Sequence, residues 1–410
     1  MTRQPSRPSR REMLAALTAT GLATGMSTGL ASLAEALALA PCDGGPPLGE
    51  RLGTLPLSRA DGVNQPFGVK FGGSGLDARL VTDLSQLRED ALITPTERVY
   101  VRTECPAAAA DAARQKDWTI ALGGASSSAS LSIDDLMRRA RPMGTHLLEC
   151  AGNNNPANFG LMSVASWDGV PLTEILPAPH PGPLPASGAR ESPAGLLVGG
   201  FDHDGQQSNV STPGASWILP LASLDRLGAF LAVRMNGEAL PLDHGRPVRL
   251  VVPGWYGCAW IKWVRELRLV GTDEPATSQM REFAGRTHQT RRHDLAREYT
   301  PPEVEAAAMP IRVDRWRGPR GITYLITGIV WGGTRPVDRL EIRFSKQDSW
   351  KPFSVCPTPV TTAMWSLWSY RWLPERPGQY DIALRIPDTS VPQRRLDAGY
   401  YVRRINIDQV

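Results

Sequence analysis

The chain has no C-x-x-C and no C-x-x-C-H among its 410 residues, and its five cysteines, Cys42, Cys105, Cys150, Cys258 and Cys356, are scattered. A thiolate zinc knuckle, a c-type haem attachment and a thioredoxin-like motif therefore lack support, and the odd count leaves at least one thiol without an internal partner. Excess charge of one sign is missing too. The 45 basic residues face 41 acidic ones, a net +4, without the basic clustering of a nucleic-acid machine. After residue 40 no run approaches the ~18 consecutive apolar residues of a membrane span, so the mature protein is expected to have none. There are no heptads and no internal repeats, which removes coiled coils.

What the chain has is 36 prolines, 39 glycines and 12 tryptophans in a 41% hydrophobic background. That mixture favours many short strands and turns over long helices. At roughly 150 residues per domain the length predicts two or three domains. Ser9-Arg10-Arg11 precedes a weakly apolar run ending at Ala38-Leu39-Ala40. We read 1–40 as a twin-arginine export signal and expect a periplasmic protein. The alternative is a disordered N-terminus with one amphipathic helix. Such export carries folded proteins, which suits a chain that takes up a cofactor first.

Residues 41–95 read as an extended lead-in, and Val99-Tyr100-Val101-Arg102 as the strand that opens the ordered body. Trp118–Leu122 reads as a strand, and Ser132 as the N-cap of a helix over Ile133–Met137. His146–Glu149 reads as a strand delivering Cys150 into the turn Ala151-Gly152-Asn153. Residues 177–194 form a Pro/Gly loop, and Arg246–Gly254 a strand closed by Pro-Gly. The polar stretch 271–308 reads as a linker. Beyond it, Tyr324–Trp331, Leu340–Phe344 and Tyr380–Arg385 are strand-like with the spacing of a β-sandwich over 309–410. The fold class is α+β.

Three segments suggest chemistry. Cys150 sits where a tight turn could present a thiolate, although taken alone a buried structural cysteine explains it better. His244 and Arg249 flank a turn and a strand and suit an anion. Lys262, among Trp260, Trp263 and Tyr256, suits a phosphate in a dry cleft. For each the plain alternative is a turn histidine, surface cations and core aromatics.

Cys150-Ala151-Gly152-Asn153 resembles the molybdenum-binding turn of the sulfite oxidase family. The run Met235–Gly254, continuing through Trp255-Tyr256-Gly257 to Lys262-Trp263, matches that family at length, as does Trp167–Leu172. The resemblance spans about 95–410. It implies a molybdopterin-binding catalytic domain of mixed sheets and short helices over 96–270, then an immunoglobulin-like β-sandwich for dimerisation. The implied cofactor is molybdenum-molybdopterin, one pterin per metal, with Cys150 as the protein's thiolate ligand. Arg102, Asp202, His244, Arg249, Ile261 and Lys262 fall on the family's active-site and pterin contacts, Arg102 and Cys150 being catalytic. The implied activity is oxygen-atom transfer, with sulfite or a related sulfur compound as the nearest substrate. Without haem or flavin motifs, electrons are expected to pass to an external c-type cytochrome.

Four positions depart from the family pattern: Thr103-Glu104 after Arg102, Asn154-Asn155 for two arginines, Phe283 for the active-site tyrosine, and Ser366 for an arginine. Losing Asn155 and Ser366 as cations, and a phenol at Phe283, predicts a pocket poor in charge. That favours a neutral substrate such as an S-oxide or N-oxide, reduced on the same fold. A non-catalytic scaffold and a thiol enzyme using Cys150 directly are further alternatives.

Overall fold

Runs of β-branched and aromatic residues separated by Gly and Pro fold as strands because they fit a pleated, half-buried surface. In this computed structural model the described residues are 49–59, 80–102, 117–123, 129–153, 159–176, 193–201, 215–319 and 321–410. The predicted signal, Asp202, Asn155 and the 177–192 part of the Pro/Gly loop lie outside them.

The lead-in carries β1 (Glu50–Leu55) and β2 (Ser58–Arg59). Next come β3 (Thr119–Gly123), β4 (Ala129–Ser132), α1 (Ile133–Arg139), β5 (Arg141–Glu149), β6 (Met162–Pro171) and α2 (Leu172–Ile175). They are followed by β7 (Gly195–Gly200), β8 (Ser216–Pro220), α3 (Leu224–Leu227), β9 (Phe230–Met235) and β10 (Glu238–Ala239). Then come β11 (Arg249–Val251), β12 (Val264–Val270), α4 (Ser278–Phe283), β13 (Ala307–Gly318), β14 (Gly321–Trp331) and β15 (Arg339–Arg343). The last strands are β16 (Lys351–Ser354), β17 (Ser366–Trp372), β18 (Gly378–Arg385) and β19 (Arg403–Ile407).

Four sheets result. One runs β10-β9-β6-β5 with β11 on β9, and a second β4-β3-β12-β7-β8. Only β3 and β12 pair in parallel there, which makes that sheet mixed. The C-terminal sheets run β1-β13-β14-β17 and β16-β15-β18-β19-β2. They meet through aromatic side chains. Trp372 of β17 stacks on Phe344 (4.2 Å between ring centres) and meets Tyr380 edge-on, while Trp368 packs against Phe353. The first two sheets bury Trp167, Trp217, Trp260 and Trp263 almost completely. Each such burial contributes about 1.5–3 kcal/mol of transfer free energy or more. Strands with a few short helices match the α+β expectation.

Ser132 caps α1 as expected, its Oγ accepting from the Asp135 N–H at 3.1 Å. Three expectations need correction. Val99–Arg102 forms a single bridge, Val101 to Leu80, and no further strand pairing among the described residues. The strand expected over Arg246–Gly254 is shortened to Arg249–Val251, since Pro247 and Pro253 supply no N–H to a ladder. The lead-in is not merely extended: β1 pairs with β13, and Arg51 and Thr54 both donate to Asp314. The stretch 271–308 is well packed, with Ala276, Met280, Ala284 and Thr287 buried. No helix among the described residues is long and apolar enough to cross a membrane.

Candidate active site

β5 ends at Glu149 and hands Cys150 to a turn that its own backbone closes. The Cys150 N–H donates to Leu161 O at 2.9 Å, and the Asn153 N–H donates to Cys150 O at 2.8 Å. Asn153 is buried and explains why asparagine stands there. Its Oδ1 accepts from the Gly160 and Leu161 N–H groups, and its Nδ2 donates to Glu149 Oε1 at 2.9 Å. The sulfur accepts from the Gly152 N–H at 3.3 Å. Burial pushes the Cys150 thiol pKa up, while that N–H and the charges of Arg102 and Arg286 pull the other way. Cys150 and Cys258 are both free and buried.

Cys150 lines a cavity of about 340 Å³ whose walls include Glu149, Tyr256, Arg286, His288 and Arg394. One wall is a buried ion pair. Arg394 donates through both Nη atoms to Glu149, at 2.7 and 2.8 Å, and also to Tyr401 and Tyr256. Trp331 Nε1 donates to Glu149 Oε2 at 2.9 Å. Every oxygen of this carboxylate is thus engaged, as a charge removed from water requires. Burial raises the phenol pKa values of Tyr256, Tyr400 and Tyr401, which keeps these groups protonated.

His244, Arg249 and Lys262 are not walls of this cavity. They form a second cluster, and Tyr100 lies within electrostatic reach of both Cys150 and Arg249. Gly245, at φ +103°, makes the cluster possible. A Cβ there would stand 3.1 Å from Arg249 Cβ and from Lys262 Cα and Cβ. Arg249 is buried between Trp167 and Trp260, its Cζ 5.3 and 5.9 Å from their rings, and among the described residues donates to the carbonyls of His244 and Trp260. Burial pulls its pKa down to about 10. Lys262 Nζ donates to Asp243 O at 2.9 Å and lies 4.4 Å from the Trp263 ring centre. Ile261 is core, with its carbonyl accepting from the Leu250 N–H.

His244 is pulled down to about 3, first by burial and then by Arg249 and Lys262. It is neutral in the folded protein at pH 7 and gains a proton on unfolding between about 3 and its ordinary value of 6.5. The sign follows: its contribution to stability is complete above 6.5 and is lost as pH falls toward 3. The expected slope is up to about 1.4 kcal/mol per pH unit within that window. Urea unfolding at pH 7 and pH 5 should show a smaller pH difference in His244→Gln than in the parent; equal differences would contradict the assignment.

Three donors in this region are buried without a partner among the described residues: Arg102 Nη1, Arg249 Nε and Trp167 Nε1. Leaving one donor so costs about 1–3 kcal/mol, and a ligand's acceptors would remove that penalty.

The comparisons with known proteins bear on that ligand. The family described as oxidoreductase molybdopterin binding domain matches residues 106–278. Sulfite oxidase of Gallus gallus is 26% identical over 330 residues, covering 75% of this chain and 69% of that protein. Mitochondrial sulfite oxidase of Homo sapiens is 27% identical over 341 residues, covering 78% and 58%. Residues 106–278 of this chain are thus a molybdopterin-binding oxidoreductase domain, and the chain is similar to the sulfite oxidases over about three quarters of its length. The NADPH nitrate reductase of Neurospora crassa is 28% identical over 319 residues, covering 65% and 31%. In fold, the chain is similar to the sulfane dehydrogenase SoxCD of Paracoccus pantotrophus, with TM-score 0.58, 18% identity, and 84% and 90% of the two chains covered. It spans about three-fifths to two-thirds of the length of these sulfite oxidases.

The donor set suits a molybdopterin: one soft thiolate for the metal, and a buried guanidinium with no carboxylate partner among the described residues for a phosphate. The pocket differs from the sequence expectation. Phe283 is not a cavity wall, and the phenols come instead from Tyr256, Tyr400 and Tyr401. Ser366 sits in β17 opposite Val330. Arg286 and Arg394 bring guanidiniums to the cavity wall.

Proposed function

We propose that this chain is an exported molybdenum-molybdopterin oxidoreductase in which Cys150 is the protein ligand to the metal. The observation carrying this reading is the Cys150 sulfur on the wall of an open cavity and within electrostatic reach of Arg102, whose buried Nη1, like Arg249 Nε, has no partner among the described residues. The cofactor, when bound, supplies oxygen-atom transfer and two-electron chemistry. The chain's own residues hold and shield it. Arg249, His244 and Lys262 receive the pterin and its phosphate. Neutral His244 is free to donate or accept at an amide-like edge. The Gly152 N–H and the Arg102 charge favour the Cys150 thiolate. Sulfite or a related sulfur compound is the nearest substrate. Electrons leave to an external c-type cytochrome, and the C-terminal sheets form a homodimer. The disulfide at Cys356 supports an oxidising compartment such as the periplasm.

Protein purified from a host that makes molybdopterin is expected to hold one molybdenum and one pterin per chain and to oxidise sulfite with an artificial electron carrier. A metal-free, well-folded preparation would favour the scaffold reading. Activity without molybdenum, abolished by alkylating Cys150, would favour a thiol enzyme.

A further inference from the structure

Four cationic or protonatable side chains ring the Cys150 cavity: Arg286, His288, Arg394 and Arg395. Three of them face a carboxylate. Arg394 is bound at both Nη atoms by Glu149. Arg395 Nε lies 3.0 Å from Asp397 Oδ1, and His288 Nε2 lies 3.7 Å from Glu305 Oε2. Arg286 forms no ion pair among the described residues, and its guanidinium rests 5.7 Å from the Phe283 ring centre.

Its position relative to the sulfur is set by Gly152. A Cβ at residue 152 would lie 3.5 Å from Arg286 Nη1 and 3.5 Å from Cys150 Sγ. The two atoms are therefore no farther apart than twice that distance, across a space that the missing side chain leaves open. Arg286 is exposed at the rim, on the 3-10 turn Ala284–Arg286 that follows α4. A guanidinium there meets solvent on one side and the sulfur on the other.

We propose that Arg286 is the substrate-anion anchor of this cavity. The inference rests on the reading of the cavity as the substrate pocket of a Cys150-ligated molybdenum site. The substrate class follows from the charge balance. Among the described wall residues, Arg286 is the cation without a carboxylate, and it matches a compound with an anionic group beside its oxidisable sulfur. The planar fork suits two oxygens of that group. Because Arg286 is exposed, its effect falls on capture, is weakened by salt and leaves the chemical step untouched.

The test uses the holoenzyme with sulfite as substrate and sulfate as competitor, at low and high ionic strength. Arg286→Ala is expected to raise the sulfite KM and the sulfate inhibition constant by about tenfold, the size of one charge-assisted contact. It should leave kcat within about twofold, and kcat/KM should lose most of its salt dependence. Arg286→Lys should recover the salt dependence but only part of the affinity, because a point charge replaces a fork. Arg281→Ala is the control; that side chain points to Asp294 and is not a cavity wall. Molybdenum and pterin contents should match the parent in all three. Unchanged KM, inhibition and salt dependence in Arg286→Ala would overturn the proposal, as would turnover of a neutral sulfoxide alone with no competition by sulfate. Failure of the functional reading shows separately, as absent molybdenum in the parent. Calorimetric sulfate titration then still decides on Arg286: binding lost in Arg286→Ala supports the anchor, and equal binding refutes it.

Discussion

Cys150→Ser is expected to keep the fold, lose molybdenum coordination and cut turnover by more than about 100-fold. That exceeds the roughly 10–100-fold effect of disturbing an outer-shell partner, because the ligand atom itself changes. A serine oxygen is harder and far less acidic than a thiol, so it holds a thiophilic metal poorly. The fold tolerates the change because the Gly152 N–H that donates to Sγ can donate to Oγ, and because Asn153, not the sulfur, closes the turn. Metal analysis, circular dichroism and sulfite turnover on the same preparation check all three parts. Unchanged turnover would defeat the assignment of Cys150.

The second large effect concerns Glu149 and Arg394. Arg394→Met is expected to destabilise the protein by about 3–5 kcal/mol, since it leaves a carboxylate buried at 0% side-chain exposure without its counter-ion. Glu149→Leu should be similarly damaging, as it also strands Asn153 Nδ2 and Trp331 Nε1. The double variant Glu149→Leu/Arg394→Met is expected to be less destabilised than the sum of the two, because neither charge remains unpaired. Urea unfolding of the four proteins measures the coupling. Additive losses would show that the pair contributes through volume alone. The pair also joins the Cys150 turn to residue 394, 245 positions away, so either single change should loosen the turn and lower molybdenum content.

Short-range patterns read well. Ser132 as a cap, β5 running into the Cys150 turn, and β14 ending at Trp331 all rest on neighbours a few residues apart. So does the cluster of His244, Arg249 and Lys262, drawn from one stretch of nineteen residues folded back over Gly245. The pocket read less well. Counting forward from Lys262-Trp263 lands on Phe283, yet the group that reaches the cavity is Arg286, three residues later and beyond the end of α4. Nothing near Arg394 or Tyr401 marks them as partners of Glu149.

From the residue order alone came the resemblance to the sulfite oxidases, the thiol at position 150, the cation-bearing segment 244–262 and a strand-rich body, because each depends on groups held together by local backbone geometry. The charge of the cavity did not. Which guanidinium is cancelled and which is left facing the sulfur depends on how β5, the turn after α4 and the segment before β19 converge. Such long-range convergence is chosen by burial and by the pairing of buried charge, neither of which leaves a periodic trace along the chain.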